Sequence, residues 1–256
     1  MILYFSATGN SRYIAELLAK RLQDVAVDIS ESDSEFVLNE GESIGFVFPV
    51  HSWGMPRHLR QRISQLRFGN VEGNYCYLVC TCGDDTGLTA EEWSECVRGI
   101  GLIPKAEFSV QMPNTYVLLP GFDVDKKDVE AKKLSQAACD VEEISYRISE
   151  KTGGDFTYHG GFAWVKSKVI RPPFMKFMGD KMFYADDSCS GCGLCVKKCP
   201  VNNIIIEDGK PIWRGNCINC LACYHYCPHK AINYGHRTKT KGQYYFKNRK
   251  RIKFAI

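Results

Sequence analysis

Nothing in this chain reads as a membrane span. Its longest charge-free runs, residues 43–56 and 108–122, fall short of the roughly 18 apolar residues a span requires, and both contain proline. No basic segment precedes an apolar one at the N-terminus, which enters at once what reads as a core strand. No secretory leader is therefore expected, and the cytoplasm is the expected compartment. Acid is missing from one end: residues 209–256 hold 11 Lys and Arg and no Asp or Glu, against 22 Lys and Arg and 29 Asp and Glu in residues 1–208. The net charge of +4 thus hides an acidic body and a basic end. The loop after the first strand lacks the lysine of a Walker motif and the spaced glycines of a dinucleotide fingerprint, and nothing resembling an NAD(P)H site appears. With 45% apolar and 24% charged residues, the 256-residue chain has a globular composition and suits one ordinary domain plus a small one.

Cysteine, in contrast, is abundant. Eight of the 13 cysteines form two copies of C-x2-C-x2-C-x3-C-P: Cys189, Cys192, Cys195, Cys199 with Pro200, and Cys217, Cys220, Cys223, Cys227 with Pro228. This is the bacterial ferredoxin spacing for two [4Fe–4S] clusters, in which three sulfurs of a run face one cluster and the fourth ligates the other. The expected sets are Cys189, Cys192, Cys195 and Cys227 for one cluster, and Cys217, Cys220, Cys223 and Cys199 for the second. Zinc, the plainer reading of C-x2-C pairs, needs only four ligands and no such doubled triplets. Two segments this short cannot bury a core unaided, so metal is expected to hold them. Cys76, Cys80, Cys82, Cys96 and Cys139 lack ligand spacing and read mostly as small buried residues.

Residues 1–151 alternate short apolar runs with amphipathic stretches. Strands are expected at Met1–Phe5, Val25–Ile29, Ser43–Val50, Tyr75–Thr81 and Ala106–Met112. Helices are expected at Ser11–Gln23, Pro56–Leu66, Leu88–Gly101 and Asp125–Lys151. The third and fourth strands are apolar on both faces, as interior parallel strands are. Five β-α units give an α/β, doubly wound, five-stranded parallel sheet. Residues 152–185, rich in Gly, Pro and aromatics, read as a connector whose rings pack the two parts together. A membrane-surface or docking helix through Phe174, Met175, Phe177 and Met178 is the sharper alternative, but no long basic amphipathic face supports it. Residues 186–235 form the cluster domain, small and α+β, and 236–256 a basic tail.

After strand 1, Ser6-Ala7-Thr8-Gly9-Asn10-Ser11 leads into a helix. Hydroxyls and small residues there suit a terminal phosphate, because loop amides and the helix dipole favour an anion. Capping by Asn10 or Ser11 is the plainer alternative. This loop resembles the T/S-x-T-G-x-T phosphate loop of flavodoxins, and the whole chain resembles the bacterial flavodoxin–ferredoxin fusions. The resemblance implies a flavodoxin-like fold, a two-cluster bacterial-type ferredoxin domain, and bound FMN. It implies that Ser6, Thr8, Gly9, Asn10 and Ser11 hold the phosphate. Val50, His51, Ser52, Trp53 and Gly54 would follow strand 3, with Trp53 on the flavin ring and Gly54 near its N5 edge. Thr81, Cys82, Gly83 and Asp84 would border the pyrimidine side, and Asn114 and Tyr116 close the pocket. One departure is plain: the third loop has no aromatic of its own to cover the second flavin face.

The tail Gly235–Lys253 carries eight Lys and Arg with Tyr244-Tyr245-Phe246. It reads as a strap along the acidic domain or a patch for an acidic redox partner, not as a nucleic-acid site. Lone histidines such as His51, His159 and His225 read as surface or loop residues. The expected function is intracellular electron transfer between the two clusters and FMN, with separate redox proteins as partners. An FMN-dependent reductase of a small organic substrate, fed by its own clusters, is the alternative; the open pocket expected around Trp53, Tyr116 and the aromatic connector supports it. A cluster-based redox sensor has only the basic tail in its favour.

Overall fold

The computed structural model describes residues 1–247; the end of the expected basic tail, 248–256, lies outside the described residues. The chain runs β1 (Ile2–Tyr4), α1 (Asn10–Leu22), β2 (Ala26–Asp28), β3 (Glu35–Val37), β4 (Ser43–Pro49), α2 (Arg57–Ser64), β5 (Arg67–Gly69), β6 (Tyr75–Cys82), α3 (Thr89–Arg98), β7 (Pro104–Gln111), α4 (Lys127–Ser149) and β8 (Gly154–Phe156). The main sheet has the order β2-β1-β4-β6-β7-β8 and is parallel throughout. Strand β6 is buried at every position, because alternate side chains feed two cores. Tyr77 and Val79 pack with Ile14 and Leu18 of α1 and Val141 and Ile144 of α4. Cys76, Leu78 and Cys80 pack with Leu59 and Ile63 of α2 and Trp93 and Val97 of α3. Helices on both faces over a parallel sheet make this a doubly wound fold.

Beyond the five expected strands, the sheet gains a sixth from the stretch read as a connector. Strand β8 pairs with β7, and Phe156 stacks on Phe108 at 5.2 Å between ring centroids. Three residues are too few for a period-2 pattern to register. After it come a wide-turned π-helical stretch, Val165–Ile170, and α5 (Arg171–Phe177). The cluster region follows as β9 (Phe183–Ala185), α6 (Leu194–Lys197), β10 (Ile204–Glu207), β11 (Lys210–Trp213), α7 (Ala222–His225) and β12 (Ile232–Tyr234). Its antiparallel pairs are β9 with β12 and β10 with β11. Val117 and Leu118, from the loop after β7, are buried in one core with Phe183, Tyr224 and Tyr234. The two parts therefore share a core.

The described part of the tail straps them further. Lys241 Nζ donates to the carbonyls of Val117 and Leu119, each at 2.6 Å. Tyr224 Oη donates to the carbonyls of Lys241 and Gly242, both at 3.1 Å. The Phe246 amide donates to the Thr8 carbonyl at 2.8 Å, and its ring stacks on Tyr13. Carbonyls and rings, more than carboxylates, anchor the strap.

His58 stands edge-on to Phe5, and neither ring nitrogen has a hydrogen-bond partner. Burial pushes its pKa down to about 4. The unfolded chain takes up this proton below its ordinary value and the folded chain does not, so stability is full above about pH 6.5 and falls toward pH 4. His58→Phe is expected to flatten this slope, worth up to roughly 3 kcal/mol, in denaturant melts taken across that window.

Candidate functional site

Four loops meet at the carboxyl ends of β1, β4, β6 and β7, where open α/β sheets collect ligands. They enclose two adjoining cavities. The smaller, about 90 Å³, is lined by Ser6, Ala7, Thr8, Asn10, Ser11 and Thr81, among others. Ser11 Oγ and Thr81 Oγ1 share a buried hydrogen bond of 2.8 Å, and the Gly9 amide donates to Ser6 Oγ at 3.1 Å. The 13-residue helix α1 opens here with no acid in its first turn, so its positive end is uncompensated. Gly9 itself does not line the cavity. It has φ +97°, and a Cβ there would meet Phe246 Cβ at 2.9 Å, so glycine is required by the turn and by the strap.

The larger cavity, about 340 Å³, continues from the first and shares Val50, His51, Cys82, Gly83, Asn114 and Tyr116 with it. Ser52 and Trp53 also line it; both sit at positive φ, in a tight turn closed by the His51 amide on the Gly54 carbonyl at 2.9 Å. Two consecutive non-glycine residues in the left-handed region are costly and persist only where the surrounding structure holds them. Gly54 departs from its expected place. It lines neither cavity and instead backs onto Arg171, whose guanidinium lies where a Cβ would go. Asn114 is committed to its own loop, its Nδ2 donating to the Asp123 carbonyl at 2.6 Å and its Oδ1 accepting from the Tyr116 amide. Tyr116 Oη is buried with no partner in the protein, and burial raises its pKa. Burial likewise pushes the Cys82 thiol up to about 12, which keeps it protonated and unreactive.

The far wall comes from the connector. Phe174, Met175 and Met178 line the larger cavity, and Tyr116 contacts Phe122 and Phe174 edge-on. Aromatic cover thus arrives from the aromatic-rich connector, which walls this cavity together with Trp53 and Tyr116. The connector is clamped onto both loops. Ser167 Oγ donates to the Trp53 carbonyl and accepts from the Leu88 amide. Arg171 pairs with Glu92 and donates to the Met55 carbonyl. Lys166 pairs with Asp85, while Asp84 stays exposed at the rim.

Two further cavities, each about 20 Å³, lie among the cysteines. Cys189, Cys192 and Cys195 surround one together with Cys227; Cys217, Cys220 and Cys223 surround the other together with Cys199. The fourth cysteine of each run has crossed over. Burial pushes the thiols of Cys217 and Cys220 up to about 11 and 12, so thiolates here need strong positive charge beside them, as iron would supply. The amides of Asn203 and Asn219 point at Cys199 Sγ (3.2 Å) and Cys217 Sγ (3.3 Å), and the buried Trp213 Nε1–H beside this cavity has no full hydrogen bond in the protein. Donors aimed at the sulfurs suit an anionic iron–sulfur group. Among the described residues no three His, Cys, Asp or Glu are grouped to hold a single metal ion.

Cys220 and its neighbour Leu221 line both the larger loop cavity and the second cysteine cavity. His225, expected at the surface, is instead buried at the seam between the parts. Its Nε2–H donates to the Thr115 carbonyl at 2.7 Å, and Nδ1 accepts from the Tyr244 amide at 3.1 Å. Tyr244 Oη in turn donates to Asn10 Oδ1 at 3.0 Å, tying the strap to the phosphate-type loop.

Residues 1–95 match the family model of a flavodoxin domain, and residues 188–232 that of a 4Fe-4S dicluster domain. No curated protein matches the chain. Among solved structures, it is similar over 57% of its length to 97% of an FMN-dependent NADH-azoreductase from Bacillus anthracis (10% identity, TM-score 0.39). It is similar over 56% of its length to 97% of a flavodoxin from Streptococcus pneumoniae TIGR4 (13%, 0.32). A rubredoxin oxygen:oxidoreductase from Desulfovibrio gigas is matched over 59% of this chain and 36% of its own (15%, 0.34).

Proposed function

We propose that this chain, a flavodoxin domain joined to a 4Fe-4S dicluster domain, carries electrons between two [4Fe–4S] clusters and one FMN, and so links one-electron and two-electron redox partners. The matched domains make it a flavin and iron–sulfur redox protein. FMN supplies a centre that holds one or two electrons, and each cluster a centre that holds one. In this reading the hydroxyls of Ser6, Thr8 and Ser11, with the loop amides, hold the FMN phosphate. Val50, His51, Ser52, Trp53, Cys82, Gly83 and Tyr116 wall the ring system. Cys189, Cys192, Cys195 and Cys227 ligate one cluster; Cys217, Cys220, Cys223 and Cys199 ligate the other. The observation that carries the reading is Cys220, one residue in the walls of both the flavin cavity and the second cluster cavity. Anaerobic purification tests it: about eight iron atoms, matching sulfide and one FMN per chain are expected. Colourless protein containing zinc would refute it.

Lys166 neutralises Asp85 at the edge of the flavin cavity, and its Nζ lies 5.9 Å from the centre of the Trp53 ring. Lys166→Met leaves that carboxylate unpaired, which disfavours added electrons. The flavin midpoint is expected to fall by on the order of 30 mV, about 1.4 kcal/mol for a two-electron couple, in an anaerobic spectral titration. Asp85→Asn/Lys166→Met should recover most of the shift.

The apolar wall of Phe122, Phe174, Met175 and Met178 gives the reductase reading its support. Saturable anaerobic turnover of a single small acceptor would favour that reading, and slow reduction of every acceptor the carrier.

A further inference from the structure

More than half of the large apolar side chains exposed among the described residues fall in the short stretch Phe156–Met182. Within it exposure follows a period of four. Trp164-Val165, Lys168-Val169, Pro172-Pro173 and Lys176-Phe177 are exposed pairs along one helical rod, while Lys166, Ser167, Arg171, Phe174 and Met175 between them turn to the protein. Ile170, half exposed, lies at the boundary and reaches the larger cavity. Trp164 is 64% exposed and Phe177 82%, and Phe162 just before the rod is 84% exposed. Here apolar residues face outward as well as inward, and an exposed cluster of them interleaved with lysines marks an interaction site. The expectation that these rings would pack the two parts together therefore holds only for the inner side.

The chemistry of the face selects its occupant. From Gly161 to Met182 the only acid is Asp180, which is buried and bonded to Asn203 and the Gly215 amide. Lys168, Lys176 and Lys181 stand exposed. A second copy of the chain would set these lysines against one another with no acid on the face to pair them. Protein interfaces also carry about one hydrogen bond per 100–200 Å², and these four pairs offer no Ser, Thr, Asn or Gln to make any. An anionic bilayer surface asks for what is present: aromatic and aliphatic side chains to enter the headgroup boundary, and lysines that reach to phosphate. No helix among the described residues is long and apolar enough to cross a membrane, so the contact is a surface one.

We propose that the outer face of residues 162–177 docks the protein on an anionic lipid surface. The inner side of the same rod walls the larger cavity, so the bilayer would lie about one helix diameter, roughly 10 Å, from it. The inference stands apart from the cofactor reading, because binding requires neither cluster nor flavin to turn over.

Anaerobically purified holoprotein should co-sediment with vesicles of phosphatidylcholine and phosphatidylglycerol in equal parts, and not with phosphatidylcholine alone. Trp164→Ser/Phe177→Ser and Lys168→Glu/Lys176→Glu should each weaken this binding by roughly tenfold or more. Iron content, flavin content and melting temperature should not change, since none of the four side chains lines the loop cavities or the cysteine cavities. Three results would overturn the proposal: no binding to either vesicle, undiminished binding by both variants, or a dimer or protein complex that Trp164→Ser/Phe177→Ser abolishes while vesicles stay bare.

Discussion

Cys199→Ala is expected to destroy the cluster of the other cysteine run and spare its own. Cys199 lines the cavity of Cys217, Cys220 and Cys223, whereas Cys189, Cys192 and Cys195 have Cys227 as their fourth partner. Iron should fall by about half, and the surviving EPR signal should be that of the cluster held by Cys189, Cys192 and Cys195. Flavin should stay bound, because Cys199 lines neither loop cavity. Electron exchange with the flavin should nevertheless collapse, since the lost cluster is the one that shares Cys220 with the flavin cavity. Cys227→Ala gives the converse: the other cluster is lost and flavin exchange survives. If Cys199→Ala instead removes the cluster of its own run, the crossed assignment is wrong.

Arg171→Ala should produce the largest loss of stability. The side chain is largely but not fully buried, pairs with Glu92 and holds the Met55 carbonyl, with Gly54 giving it room. Without it, Glu92 keeps only the Met55 amide at 2.9 Å and a distant Arg60 at 3.9 Å. Stranding a buried carboxylate costs about 3–5 kcal/mol, or roughly 6–20 °C in melting temperature for a chain of this size. The connector should also lift from the loop of Trp53, so flavin content falls with it. Arg171→Lys should be intermediate, because a point charge cannot reproduce the planar fork. Arg171→Ala/Glu92→Gln should recover part of the loss. A melting temperature within a degree of wild type for Arg171→Ala would show that the clamp is not needed.

Much of this was legible in the residues. Tyr75–Thr81 is apolar on both faces because two helical layers cover it, and that demand leaves no room for polar alternation. The cysteine runs were legible because a cubane fixes its ligands by spacing. What escaped was set by contacts distant in sequence. Strand β8 is three residues long and exists because β7 offers a free edge. Gly54 sits in a flavin-type loop yet answers to Arg171, 117 positions away. His225 looked like a loop residue because its partners, Thr115 and Tyr244, meet it only when the cluster part and strap fold over the sheet. The connector's density of rings pointed to the pocket, but which of them face inward, Phe174 and Met178 among them, is set by packing and not by the pattern.

The most direct test of the central claim is a single-pulse reduction of the anaerobic holoprotein, with cluster and flavin absorbance followed together. Electrons should redistribute between clusters and flavin at a rate that does not change with protein concentration, and Cys220→Ser should slow this phase while flavin remains bound. A rate proportional to protein concentration, or clusters that take up electrons while the flavin stays oxidised, would contradict the account.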